Sequence, residues 1–229
     1  MASDATSTLQ AESIIGDVLP RDVKLKYNLK VEFPNAKLEK PGQKIDVKDT
    51  QPQPTVYVEP VPENEDGCGS YTLLMVDPDL TRRHDTRFGQ VRHWLATKCS
   101  IGDKGEVIHS KNTTLSPWVG PAPLPVPDVT GKPHPSRYTF IICCDKISTA
   151  STKIDPDSLR SEYEGKPGEL GKPTQDIIDR MGFNTERFLM KNNLDAIAAT
   201  FMFVEGSLKS GMNNAALAAT AMANKVMGR

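Results

Sequence analysis

The segment Tyr27-Asn28-Leu29-Lys30-Val31-Glu32-Phe33 alternates apolar and polar positions, the period of a strand with one buried face. Further runs rich in β-branched and aromatic residues follow: Thr55 to Val58, Ser70 to Val76, Val91 to Thr97, Tyr138 to Cys144 and Ile197 to Val204. Proline and glycine punctuate the gaps. At the N-terminus, Leu9, Ile14, Ile15, Val18 and Leu19 predict an amphipathic helix over about residues 8–19, capped by Ser7 and stopped by Pro20. Later helix starts are predicted at Asp155-Pro156-Asp157, Pro173-Thr174-Gln175 and Asn184-Thr185-Glu186-Arg187, and the tail from about 212 to 227 is Ala-rich and helix-prone. Strands do not alternate with helices, so the pattern predicts a mainly β sandwich and not a parallel α/β sheet. The chain divides into a helical extension over 1–20, a β domain over 21–207 and a helical tail over 208–229.

Charge narrows the function classes. The 229 residues carry 28 Lys+Arg against 29 Asp+Glu, a balance without the basic excess of a nucleic-acid binder. No apolar run approaches the roughly 18 residues that a membrane-spanning helix needs. The polar start Met1-Ala2-Ser3-Asp4 lacks a secretory pattern, so a cytoplasmic protein is expected. Cys68, Cys99, Cys143 and Cys144 form no CxxC pair and read as small core residues, with Cys143 and Cys144 facing opposite sides of a strand. Gly165 to Thr174 has the wrong glycine spacing for a phosphate loop, and His84, His93, His109 and His134 show no metalloprotease spacing. Neither a cofactor nor a metal is expected.

One constellation carries chemistry. The strand Leu73 to Val76 runs into Asp77-Pro78-Asp79, a Pro-locked turn, and the next strand bears His93. Period two places His93 with Val91 and Leu95, and Arg92 with Trp94 on the other face. An imidazole beside Asp77 would be oriented by the carboxylate and kept partly protonated, able to bind an anion or to handle a proton. The proline-rich loop Trp118 to Pro125 offers a rigid wall in which Gly120 permits close approach, and His134, Arg137 and Tyr138 follow at the mouth of the next strand. The same residues also fit plainer roles: a turn, a structural histidine and a salt-bridging arginine.

Tyr71 through Tyr138 resembles the phosphatidylethanolamine-binding protein family. Asp77-Pro78-Asp79 with His93-Trp94-Leu95 looks like its first motif, and Gly120-Pro121-Ala122-Pro123 with Arg137-Tyr138 like its second. Ile14 to Pro20 is similar to the N-terminal segment of fungal members, and Asn193 to Phe203 to their closing strand. The resemblance implies a sandwich of a large antiparallel sheet and a smaller one with peripheral helices, with an anion pocket at one end. That pocket would hold Asp77 and His93, with Asp79 supporting the loop and Pro121 and Pro123 on the rim. Gly120, His134, Arg137 and Tyr138 complete the expected ligand-binding set. Thr81, Phe88 and Ser136 depart from the family pattern; Ser136 stands where a second histidine is usual, and His134 lies two residues earlier.

The resemblance implies binding of a small phosphoryl or carboxylate group, such as a phospholipid headgroup, and regulation of a partner such as a serine carboxypeptidase or a kinase. The N-terminal segment looks like that of fungal carboxypeptidase Y inhibitors, where it contacts the protease; equally, it would cover a sheet edge. Two other readings stand beside this one. In the first, Asp77 and His93 transfer a proton during cyclisation or dimerisation in a natural-product pathway; in the second, the chain is a scaffold without a ligand. No residue demands catalysis, so binding and regulation is the leading reading.

Overall fold

A computed structural model describes residues 2–63, 67–80, 83, 89–123, 134–146, 154–159 and 179–206. The expected helix start at Pro173, the glycine-rich loop 165–174, the tail 208–229, and Thr81, His84 and Phe88 lie outside the described residues. The described residues include ten strands: β1 (Asn28–Glu32), β2 (Lys37–Leu38), β3 (Gln43–Lys44), β4 (Thr55–Glu59), β5 (Cys68–Asp77), β6 (Val91–Ile101), β7 (Val107–Ile108), β8 (Thr114–Ser116), β9 (Pro135–Lys146) and β10 (Leu194–Glu205). They form a three-stranded sheet in the order β2-β1-β4 and a seven-stranded sheet whose main path is β3-β10-β9-β5-β6-β7, with β8 on β6. The pairings between these strands are antiparallel except β3 with β10. The chain is mainly β, as the pattern predicts.

Between the sheets lies one core, where Leu29, Val31, Val56 and Val58 meet Leu73, Met75, Trp94, Tyr138, Phe140 and Ile142. The other face of the large sheet is buried too, under Leu9, Ile14, Val18, Leu19, Phe188 and Leu189, which pack on Leu74, Val76, Leu95, Ile141 and Phe201. Burial on both faces explains why β5 and β9 read as nearly continuous apolar runs and not as alternations. Cys143 and Cys144 do point to opposite cores.

The N-terminal region departs from expectation. Helix α1 spans Ala2–Ala11, so Ser7 is an interior residue and not a cap. A separate turn, Ile14–Asp17, follows, broken by an extended Ile15 (φ −80°, ψ 108°) and by Gly16 (φ 120°). Ile14, Val18 and Leu19 all reach the core across this break. The segment covers a sheet face, not a sheet edge. Helix α2, Thr185–Lys191, begins where expected, with the Asn184 side chain accepting from the Arg187 N–H at 2.9 Å. Asp155-Pro156 opens a 3₁₀ turn, Pro156–Leu159, at which the described residues of this region end.

A second correction concerns the cysteines. Cys68 and Cys144 are joined by a disulfide across 76 residues of sequence, while Cys99 and Cys143 are free and buried. Between Cys68 and Ser70 the β5–β9 register shifts, which sets Cys68 opposite Lys146 and Tyr71 opposite Cys144. The two cysteines thereby become diagonal neighbours on one face, a relation that sequence spacing does not encode.

Candidate functional site

The site forms where β5 ends and β6 and β9 pass beside it. A β-bulge sets its geometry. Met75 pairs with Trp94 and Val76 with Arg92, so His93 is the extra residue on β6. The bulge overturns the expected period-two assignment. Trp94 joins the inter-sheet core while Leu95 turns to the helix-covered face, and Arg92 also turns that way, stacking over the Phe183 ring at 5.1 Å. His93 instead meets Tyr138 edge-on, with ring centroids 5.1 Å apart.

His93 is not oriented by Asp77. Its Nδ1–H donates to the Val119 carbonyl at 2.9 Å, and the Val119 N–H returns a bond to the His93 carbonyl at 3.0 Å. This fixes the tautomer and leaves Nε2 without a partner among the described residues. Burial pushes the imidazole down to about 4, with the Arg180 charge adding to the effect and the Val119 bond opposing it. The ring is therefore neutral at pH 7, not partly protonated. Arg180 also fixes this loop, its Nη1 donating to the carbonyls of Arg92 (3.3 Å), His93 (3.2 Å) and Pro117 (3.0 Å).

Asp77 is only 2% exposed. Its Oδ1 accepts the Asp79 N–H at 2.7 Å, the Asx bond that locks the Asp-Pro-Asp turn. Burial raises the carboxyl to about 7; the neighbouring Asp79 charge adds to this, against the Asp79 N–H, a hydrogen bond from Tyr138 and the charge of Arg137. The Tyr138 hydroxyl also accepts the Ala122 N–H at 3.2 Å, and burial holds it well above its ordinary pKa.

Asp79 and Arg137 form a buried bidentate pair. Arg137 Nε donates to Asp79 Oδ2 and Nη2 to Oδ1, both at 2.7 Å, and the Arg137 N–H adds a bond to Oδ2 at 3.0 Å. The guanidinium further donates to the Glu12 carbonyl (2.6 Å) and to Asp17 Oδ2 (2.9 Å). Arg137 therefore occupies itself with Asp79 and the N-terminal segment, on the side of β9 away from Tyr138.

Gly120 presents its bare Cα to the chain itself, since a Cβ there would lie 3.0 Å from Gln51 Cα and from the Thr50 carbonyl. Gln51 Nε2 donates to the Pro121 carbonyl (2.9 Å), and Trp118 Nε1 to the Gln51 carbonyl (2.8 Å), which staples the proline loop from behind. Pro121 and Pro123 are buried and do not form an exposed rim. The Ser136 hydroxyl faces the Asp79 carbonyl at 3.4 Å, while His134 Nε2 accepts the Arg83 N–H at 3.1 Å. Sequence reasoning missed Val119, Ala122, Arg180 and Gln51. The first two act through backbone groups that carry no residue signature; the others are distant in sequence and identified only by what they touch.

Among the described residues no group of three or more His, Cys, Asp or Glu could hold a metal ion, and no helix is long and apolar enough to cross a membrane. A cleft of about 600 Å³ lies at the other end of the large sheet, lined by Cys68, Cys144, Lys146 and Leu189 among others.

This arrangement is a family's. The chain matches the family model described as phosphatidylethanolamine-binding protein over residues 29–172, more than half its length, and it belongs to that family. It is 25% identical over 214 residues to a Saccharomyces cerevisiae protein described only as uncharacterized, YLR179C, covering 90% of this chain and 96% of that one. Among solved structures it is similar to a carboxypeptidase Y inhibitor complexed with its cognate proteinase (TM-score 0.62, 20% identity, 90% of this chain and 96% of that one). A phosphatidylethanolamine-binding protein from Plasmodium vivax gives a TM-score of 0.60 at 22% identity, covering 88% of this chain and 97% of that one. At these identities the structural likenesses establish the fold.

Proposed function

We propose that the chain binds a small oxyanion, phosphoryl or carboxylate, at Asp77, His93 and Tyr138, and that it regulates a partner protease of the serine carboxypeptidase class. The observation that carries the pocket is a nearly buried, protonatable Asp77 near His93, whose Nε2 has no partner among the described residues and, with Nδ1–H committed to Val119, accepts a hydrogen bond from a hydroxyl of a protonated phosphoryl or carboxyl group. A protonated Asp77 can donate one hydrogen bond to an oxyanion, and the pocket then holds no competing negative charge. His134, Ser136 and the Gly120 to Pro123 loop border the same region. The protease assignment is supported by the likeness to the inhibitor complex and by an N-terminal segment lying on the surface next to the site.

Calorimetric titration with phosphoethanolamine tests the pocket. Binding by the wild type that is lost in His93→Ala at unchanged Tm supports it; unchanged affinity in His93→Ala removes His93 from the site. His134→Ala decides whether that side chain takes part. Inhibition of carboxypeptidase Y tests the partner, with substitutions at the exposed α1 positions Ser7, Gln10 and Ala11, which leave Leu9 in the core.

A second reading rests on the raised Asp77 carboxyl, which suits proton transfer to or from a carboxylate-bearing substrate near neutral pH. Binding of a simple dicarboxylate but not of phosphoethanolamine favours it. Binding of neither leaves a scaffold.

A further inference from the structure

Two arginines beside the pocket are covered by the chain's own N-terminal segment. Arg137 Nη1 donates to the Glu12 carbonyl at 2.6 Å, and its Nη2 reaches Asp17 Oδ2 at 2.9 Å. Arg83 Nη2 donates to the same Glu12 carbonyl at 2.8 Å and lies 2.8 Å from Glu12 Oε2, while its Nε is buried with no hydrogen-bond partner among the described residues. One carbonyl and two carboxylate oxygens of the N-terminal segment thus converge on two guanidinium groups, of which Arg137 also holds both Asp79 oxygens through Nε and Nη2. An arginine pair that surrounds several oxygens from one side is the donor set that phosphate recruits.

We propose that Arg83 and Arg137 form a second, latent anion site that takes a phosphate group and that Glu12 and Asp17 now fill as internal stand-ins. The site lies on the opposite side of β9 from Tyr138 and does not depend on His93. Opening it is a local event. Glu12 and Asp17 are 32% and 29% exposed and Arg83 is 28% exposed, so water reaches both carboxylates and screens the Glu12–Arg83 pair, while Arg137, 1% exposed, is uncovered only as Asp17 and the Glu12 carbonyl move aside. The Glu12 carbonyl must also turn aside. The peptides that carry it meet Ser13 (φ 57°) and Gly16 (φ 120°), the elbow between α1 and the Ile14 turn, while Leu9, Ile14, Val18 and Leu19 stay anchored in the core. Because the Glu12 and Asp17 groups and phosphate compete for the same donors, any partner that draws those groups aside raises phosphate affinity, and phosphate raises that partner's affinity by the same factor.

The test uses the full chain in a His93→Ala background, which silences the first pocket. Inorganic phosphate is titrated into this protein, into the added E12Q/D17N pair, and into the pair with R83Q. The isosteric amides preserve packing, and Arg137 is left in place so that Asp79 keeps its partner. The expected result is phosphate affinity on the order of five-fold tighter with E12Q/D17N, a gain abolished by R83Q. In the wild type, phosphate should speed amide exchange across residues 12–17, which a merely structural ion pair would not do. Cosedimentation with phosphatidylcholine vesicles containing phosphatidic acid separates the sources: binding to phosphate and vesicles assigns a lipid headgroup, and binding to phosphate alone a soluble phosphate. Equal phosphate affinity with and without the two carboxylates, a gain that survives R83Q, or unchanged exchange would overturn the site. Failure of phosphoethanolamine to bind the unmodified pocket would bear only on the His93 reading.

Discussion

His93 gives its Nδ1–H to the carbonyl of Val119 across 2.9 Å, although Asp77 stands at the end of the adjacent strand. The imidazole is therefore held by backbone, stays neutral, and leaves Asp77 as the group that titrates near pH 7. This reverses the usual division of labour in a His–Asp pair.

Anion binding follows from that reversal. Sulfate stays a dianion over this range, without the titration that phosphate undergoes, and is the cleaner probe. Its affinity is expected to fall as pH rises through about 7, because the Asp77 carboxylate then repels it. In Asp77→Asn the profile should flatten. A wild-type profile that is flat between pH 6 and pH 8 would remove Asp77 from the site.

Stability carries the same signature with a defined sign. The folded state holds the Asp77 proton that the unfolded chain releases near its ordinary value of 3.8, so this group's contribution is full below that value and is lost as pH rises through about 7. His93 works oppositely: its contribution is present above 6.5 and is lost as pH falls through about 4. Asp77→Asn should therefore gain more in Tm over the wild type at pH 8 than at pH 4, as read by thermal melts at both values.

Arg137 neutralises Asp79, and both side chains are essentially inaccessible. Arg137→Ala strands a buried carboxylate, which is expected to cost about 3–5 kcal/mol. Urea unfolding with an unchanged m-value would measure it. A loss below about 1 kcal/mol, the scale of an exposed pair, would mean that water reaches Asp79.

Gly120→Ala places a Cβ 3.0 Å from backbone atoms of Thr50 and Gln51, which cannot swing away. A loss of about 1–3 kcal/mol is expected from overpacking, together with weaker anion binding because Val119 next door holds His93. An unchanged Tm and unchanged affinity would show that the loop yields freely.

The Cys68–Cys144 bond closes a long loop, so replacing both residues by serine should cost about 2–4 kcal/mol. Peptide mapping without reductant should recover the two cysteines in one linked pair. Recovery of free Cys68 would contradict the bond.

Strand positions were legible because apolar spacing reports burial directly. Every run expected from Tyr27, Thr55, Ser70, Val91, Tyr138 and Ile197 falls within or overlaps a strand. The Asp-Pro-Asp turn was legible from its own residues, whereas the gathering of Asp77, Asp79, His93 and Tyr138 at one end of three neighbouring strands belongs to the tertiary structure. The N-terminal helix was misplaced because the 3.6-residue pattern continues across Ser13 and Gly16, where the backbone turns out of the helix.

Local sequence thus determined the strands, the Asp-Pro-Asp turn and the residues available for chemistry, because period and turn propensity act over a few neighbours. Tertiary structure alone decided their roles. The bulge at His93 set which side chains share a face, the register shift before Ser70 brought Cys68 to Cys144, and Arg137 was turned toward Asp79 and Asp17. These outcomes depend on which distant segments lie side by side and on the burial that results. That burial sets the charge states of Asp77 and His93, and no short window of sequence contains it.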